Sequence, residues 1–143
     1  MSLPIVLCVD DEKMILYNLR EQIERWSSGR FVVEIAQSGE EGLQLLDELV
    51  ESGEEVAIVV SDQMMEGLQG DEFLRLVRDK LPTAQLMLLT GGNNPHEKEH
   101  LAMEAAGLRG HTLFHFLAKP WSEKELFGML DECVNLRAGL TPA

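Results

Sequence analysis

The chain has 143 residues with 25 acidic and 12 basic side chains, a net charge of −13, and a hydrophobic content of 45%. That length and composition suit one globular domain with a real core, and no apolar run approaches the ~20 residues of a membrane span. The acidity opposes binding to nucleic acid or an anionic membrane, which call for a basic patch, but it does not oppose binding a divalent cation.

In chain order, Ile5–Val9 is a continuous apolar strand that runs into Asp10-Asp11. No basic stretch followed by an apolar region precedes it, so no signal peptide is expected. Ile15, Leu19, Ile23 and Trp26 are spaced as one face of a helix, stopped by Ser27-Ser28-Gly29. A β-branched strand is expected over residues 31–36. Ser38-Gly39-Glu40-Glu41 then reads as a capping box, opening a helix with Leu43, Leu46 and Val50 on its apolar stripe.

Val56-Ala57-Ile58-Val59-Val60 leads into Ser61-Asp62, with Gly53 before it and Gly67 and Gly70 after it. Such a short apolar run reads as a strand buried on both faces, as in a parallel sheet covered by helices. A helix with Phe73, Val77 and Leu81 on one side follows, closed by Pro82. Gln85–Thr90 is the fourth strand, and Gly91-Gly92-Asn93-Asn94-Pro95 is a loop signal. A helix over about 95–106, a fifth strand over 113–117 and a second capping box, Ser122-Glu123-Lys124-Glu125, complete the pattern. The last helix carries Leu126, Leu130 and Cys133 inward, and residues 138–143 read as a loose tail. Cys8 and Cys133 both fall in apolar contexts and are expected as buried free thiols, which suits a cytoplasmic protein.

Five strands alternating with five helices imply right-handed βαβ crossovers and a doubly wound α/β sheet, flavodoxin-like in order 2-1-3-4-5. The switch point of that order lies between the first and third strands, which end in Asp10-Asp11 and Asp62. Asp62 alone would read as a helix cap; at the switch point it becomes one of three convergent carboxylates. Like charges so close repel unless a cation sits among them, and an oxygen-rich site of this kind suits Mg²⁺. The fourth strand adds the hydroxyl of Thr90 and the fifth ends at Lys119-Pro120. A phosphoryl group at Asp62 would therefore meet a metal, a hydroxyl donor and a fixed positive charge.

These residues resemble a known family, the receiver domains of bacterial two-component response regulators. The resemblance rests on Val9-Asp10-Asp11, on Ser61-Asp62-Gln63-Met64-Met65 with Gly70, on Leu89-Thr90-Gly91, and on Phe116-Leu117-Ala118-Lys119-Pro120-Trp121. It implies that Asp62 accepts a phosphoryl group from the phosphohistidine of a histidine kinase or phosphotransfer protein. It implies Mg²⁺ on Asp11 and Asp62, with Asp10 acting through water and the Met64 backbone carbonyl completing the set. Lys119 and Thr90 would bind phosphoryl oxygens, and Phe116 would move inward as Thr90 shifts. That exchange would alter a partner-binding face formed by the helix over 95–106, the fifth strand and the last helix, through which a homodimer is also implied. Met64 and Gly92 would flank the approach of a hydrolytic water. Residues 1–137 form the expected receiver domain and 138–143 a tail or the start of a linker. With no effector domain after Arg137 in this sequence, it is either a stand-alone receiver or part of a longer protein.

Three departures from the family stand out. Glu66 replaces a frequent proline, so a less rigid loop after Asp62 is expected; Phe116 replaces a frequent tyrosine; and the stretch from Thr90 to Lys119 is long. Two other functions fit parts of the pattern. A phosphorylation-independent docking module would not need all of Asp10, Asp11, Asp62, Thr90 and Lys119. His96-Glu97-Lys98-Glu99-His100 matches the H-E-x-x-H pattern of a zinc hydrolase. It follows a loop rather than core residues, so a charged helix start is the preferred reading. His111 and His115 are expected at the edge or surface, and Trp121 in packing.

Overall fold

The computed structural model describes residues 3–91 and 114–140 of the chain. Their element order is β1 (Ile5–Val9), α1 (Lys13–Ser27), β2 (Val32–Ala36), α2 (Gly39–Glu51), β3 (Val56–Asp62), α3 (Gly70–Lys80), β4 (Gln85–Thr90), β5 (Phe114–Ala118) and α4 (Glu123–Leu140). The strands form one parallel sheet in the order β2-β1-β3-β4-β5, as the alternating pattern predicts. Four helices lie among the described residues; the one expected over 95–106 falls outside them. α4 continues through Leu140, into the stretch expected to be tail.

The continuous apolar runs of β1, β3 and β4 exist because the sheet is covered on both faces. Leu7, Val9, Val59, Leu86 and Leu88 point to one side and pack with Leu46 of α2 and Phe73, Leu74 and Val77 of α3. Val6, Cys8, Ile58, Val60, Met87 and Leu89 point to the other and meet α1 and α4 through Leu16, Leu19, Ile23, Leu126, Leu130 and Cys133. Both cysteines are buried free thiols. Burial pushes the Cys133 thiol up to about 12, and it pushes Cys8 up as well.

Two helical faces are rotated slightly from the expected ones. Leu16 rather than Ile15 is the buried residue at the start of α1, and Ile15 is only half-buried. Val50 is 50% exposed, and Leu49 packs against the core in its place. In each case two neighbouring apolar residues compete for one inward position, and the angle at which the helix lies on the sheet decides between them.

The helix ends follow local chemistry. Ser38 Oγ accepts from the Glu41 N–H at 3.0 Å. At α4 the box is reciprocal, with Glu125 N–H donating to Ser122 Oγ at 3.1 Å and Ser122 N–H to Glu125 Oε1 at 3.0 Å. α1 stops where Ser28 turns left-handed (φ 49°) and Gly29 follows at φ 82°. Arg30 folds back over the Trp26 ring, 4.7 Å from its centroid, and donates to the last carbonyls of α1, those of Trp26 and Ser27. Trp26 in turn donates its indole N–H to Asp131 of α4 at 2.9 Å, tying the two helices of that face together.

His115 lies at the sheet edge, one of the two places expected for it, but not at the surface. It sits on the edge strand β5 but is 7% exposed, turned toward the α1 and α4 layer, with Nε2 2.9 Å from Gln85 Oε1. Because that oxygen accepts, the contact assigns the proton of the neutral ring to Nε2. Burial lowers the His115 pKa, opposed by the charge of Glu132. A lowered imidazole favours the fold fully above its ordinary value of 6.5, and this contribution is lost as the pH falls through the lowered value. Urea denaturation at about pH 7.5 and about pH 5 should therefore show wild type losing ground to His115→Asn in acid. An identical pH dependence in the two proteins would exclude His115 ionisation as a contributor.

Candidate functional site

β1 and β3 are direct neighbours, with Val9 opposite Ser61. The residues that follow Val9 and Ser61 therefore emerge together at the carboxyl edge. One carboxylate oxygen from each of Asp10, Asp11 and Asp62 lies within 4.8 Å of the others, as the strand-end spacing implied. Asp10 is fully buried and Asp62 nearly so, whereas Asp11 is exposed. Asp10 Oδ1 accepts from the Glu12 N–H at 2.9 Å. Its other oxygen is buried with no hydrogen-bond partner, 3.6 Å from Lys119 Nζ.

Lys119 brings the positive charge. Its backbone N–H donates to the Thr90 carbonyl at 2.6 Å, which fixes the chain just past β5. Its Nζ reaches Asp62 Oδ1 at 2.8 Å. The Thr90 hydroxyl sits at the same edge, fully buried, with no hydrogen-bond partner among the described residues. Register places Leu88 opposite Phe116 and Thr90 opposite Ala118, so Thr90 and Phe116 lie on the same face of the sheet. Phe116 is half-buried against the core on that side.

The charges strain against one another. Desolvation raises Asp10 from 3.8 to about 6, helped by the negative charges of Asp62 and Asp11 and opposed by the Glu12 N–H and Lys119. Asp62 is raised as well: burial outweighs the hydrogen bond and charge of Lys119. Burial pushes the Lys119 ammonium down, but the Asp62 and Asp10 carboxylates outweigh it and hold the pKa above its ordinary value. Three acidic groups therefore share one ammonium, which leaves net negative charge in a largely buried space.

The loop after Asp62 is held by contacts that no sequence pattern announced. Gln63 is buried, and its amide pairs twice with Asp71, accepting from the Asp71 N–H at 2.8 Å and donating to its carboxylate at 3.1 Å. Gln63 thereby caps α3 from outside the helix, where the N-cap residue Gln69 makes no side-chain cap. Gly70 is required by close approach, because a Cβ there would stand 2.1 Å from the Asp62 carbonyl oxygen. Glu66 donates its backbone N–H to Asp11 Oδ2 at 3.1 Å. A proline at that position has no N–H to give. The expected loosening of the loop is therefore countered by a tie to the acidic cluster. Met64 is 63% exposed. Gly92, His96, Glu97, His100 and His111 lie outside the described residues.

A five-stranded parallel sheet of order 2-1-3-4-5, with an acidic cluster and a lysine at its carboxyl edge, defines the flavodoxin-like receiver class. The chain belongs to the response regulator receiver domain family, which it matches over residues 6–131. It is 29% identical over 130 residues to the uncharacterized transcriptional regulatory protein YesN of Bacillus subtilis, covering 90% of this chain and 32% of that protein. It is 32% identical over 130 residues to the sensor kinase CckA of Brucella abortus, covering 91% of this chain and 12% of that one. The chain thus spans about a third or less of the curated relatives it matches. Among solved structures, a response regulator receiver domain protein from Clostridium thermocellum superposes with a TM-score of 0.77 at 26% identity, covering 97% of this chain and all of that one. Receiver domains of this family serve two-component signalling. Among the described residues no helix is long and apolar enough to cross a membrane.

A carboxyl raised in the folded state supplies stability below its ordinary value of 3.8 that is lost as the pH rises through about 6. Asp10→Asn should therefore stabilise the metal-free protein at about pH 7.5 by on the order of 1–3 kcal/mol, with the gain fading toward about pH 4. Denaturant midpoints in the presence of a chelator measure it. A variant less stable than wild type at the higher pH would contradict the unfavourable buried charge.

Proposed function

We propose that this domain, over residues 1–137, takes a phosphoryl group onto Asp62 from the phosphohistidine of a histidine kinase or phosphotransfer protein. The observation that carries the reading is the contact of Lys119 Nζ with Asp62 Oδ1 at 2.8 Å inside a cluster of three carboxylates. An Asp62 carboxylate oxygen attacks the phosphorus, a P–O bond forms as the P–N bond breaks, and the imidazole departs and is reprotonated. Lys119 neutralises charge on one equatorial oxygen, and the buried Thr90 hydroxyl donates to another once it turns toward the group.

The donor set fits a hard divalent cation such as Mg²⁺: three carboxylates in reach of one point, with the buried Asp10 Oδ2 left without a hydrogen bond. Asp11, Asp62 and the Met64 carbonyl would hold it, with Asp10 through water. When bound, the cation neutralises the cluster and the incoming phosphoryl oxygens. Asp62 is held in place meanwhile by the Gly70 approach and by Ser61 Oγ, which donates to the Asp62 carbonyl at 2.9 Å.

Movement of Thr90 toward the phosphoryl group would free space on the face it shares with Phe116, so Phe116 would turn inward and change the surface along β5 and α4. That surface, together with residues 95–106, is where we expect an output partner or a second copy of the chain to bind. Residues 138–143 are read as a tail or linker start, and a cytoplasmic location agrees with two buried free thiols.

Incubation with acetyl phosphate and Mg²⁺ should add one phosphoryl mass, which Asp62→Asn should not acquire; equal uptake by the variant would refute the assignment. Loss of the group needs a water in line with the phosphorus, and the exposed Met64 side chain offers no strong donor or acceptor to hold one. Decay after removal of the phosphodonor should therefore be slow, and Met64→Asn or Met64→Glu should speed it by about tenfold, which is ~1.4 kcal/mol of barrier. Fast decay that neither substitution alters would assign control of the water elsewhere.

A further inference from the structure

The short loop that carries Lys119 is fastened at two points. One is the bond from the Lys119 N–H to the Thr90 carbonyl, at 2.6 Å. The other lies two residues on, where the Trp121 indole N–H donates to Gln22 Oε1 of α1 at 2.9 Å. Between loop and helix Trp121 also packs, partly buried, against the core on the α1 side, beside open space. A cavity of about 470 Å³ lies there, bounded by Ile15, Asn18, Gly91 and Pro120 as well as by Lys119, Gln22 and Trp121 themselves. The bond from Trp121 to Gln22 therefore ties the loop to α1 at the edge of this open space.

We propose that Gln22 and Trp121 are positioning residues: their bond holds the loop so that the Lys119 ammonium stays on Asp62, and it carries the occupancy of the acidic site to α1. The inference rests on the phosphoryl-transfer reading above. A lysine ammonium ends a flexible four-carbon stem, so its reach depends on where its main chain is anchored. Without the indole bond, the loop beside the cavity keeps the Thr90 contact on one side and the Arg25–Glu123 ion pair on the other, and Lys119 samples positions away from Asp62 more often. When a phosphoryl group arrives, Lys119 must exchange Asp62 Oδ1 for a phosphoryl oxygen. The main chain from Lys119 to Trp121 adjusts with it, and the indole bond on α1 is where that adjustment registers.

The chain contains two tryptophans, and both indoles are hydrogen-bonded, so one can serve as the reference for the other. Trp26 donates to Asp131 at the far end of α1 and touches no part of the acidic site. In nitrogen–proton correlation spectra of the wild type with Mg²⁺, adding beryllofluoride should shift the Trp121 indole resonance and leave that of Trp26 in place. In Lys119→Ala the Trp121 shift should vanish. Trp121→Phe keeps a ring and removes the donor; Gln22→Met keeps the length and removes the acceptor. Each should slow phosphorylation by saturating acetyl phosphate by about tenfold, with Mg²⁺ affinity unchanged and the double variant no slower than either single. A Trp121 resonance that does not respond, or a Trp121→Phe rate equal to wild type, overturns the positioning role while leaving Asp62 phosphorylation standing. A wild type that takes up neither phosphoryl nor beryllofluoride overturns the receiver chemistry and this inference with it.

Discussion

Three carboxylates and one ammonium share the carboxyl edge of the sheet, and the sheet brings them there at an electrostatic cost. Asp10 is fully buried with one oxygen unbonded, and Asp62 is raised despite touching Lys119. A buried like-charge cluster of this kind is stable only because other parts of the chain hold it. The apolar runs of β1 and β3 pack on both faces, so their ends cannot retreat from one another. Hydrophobic burial therefore keeps the acidic groups together, and the surplus negative charge is what gives the site its capacity for a cation.

Around that centre the backbone does more orienting than the side chains. Amide N–H groups of Glu12 and Glu66 fix one oxygen each of Asp10 and Asp11. Gly70 brings the start of α3 against the Asp62 carbonyl, and Gln63 joins the residue after Asp62 to the same helix. Such contacts leave the reactive oxygens unencumbered while limiting how far each carboxylate can turn. Lys119 is the exception, since its charge stands at the end of a long stem and depends on the loop that bears it.

The sheet order and the acidic cluster were legible because both follow from simple periodicities. Strands buried on both faces announce themselves as unbroken apolar runs, and a charged residue directly after such a run can only emerge at a strand end. Helical faces were legible to within one residue: Leu16 displaced Ile15, and Leu49 displaced Val50, since tilt against the sheet is a tertiary quantity. His115 was legible as an edge residue but not as a buried one, since α4 covers that side of β5. The pairings of Gln63 with Asp71 and of Gln22 with Trp121 had no signal at all. They join residues whose closeness depends on loop paths, and no local pattern encodes those.

The two thiols give the fold a built-in gauge. Cys8 lies on the interior strand β1 and Cys133 on the outer helix α4, both fully buried from solvent and both held as neutral thiols by that burial. An alkylating reagent needs the thiolate, so at neutral pH it can react only with molecules that have opened. The two modification rates then read the opening of two different layers, the sheet through Cys8 and the docking of α4 through Cys133. Where the rates diverge, α4 leaves the sheet without global unfolding; where they coincide, helix and sheet open as one unit.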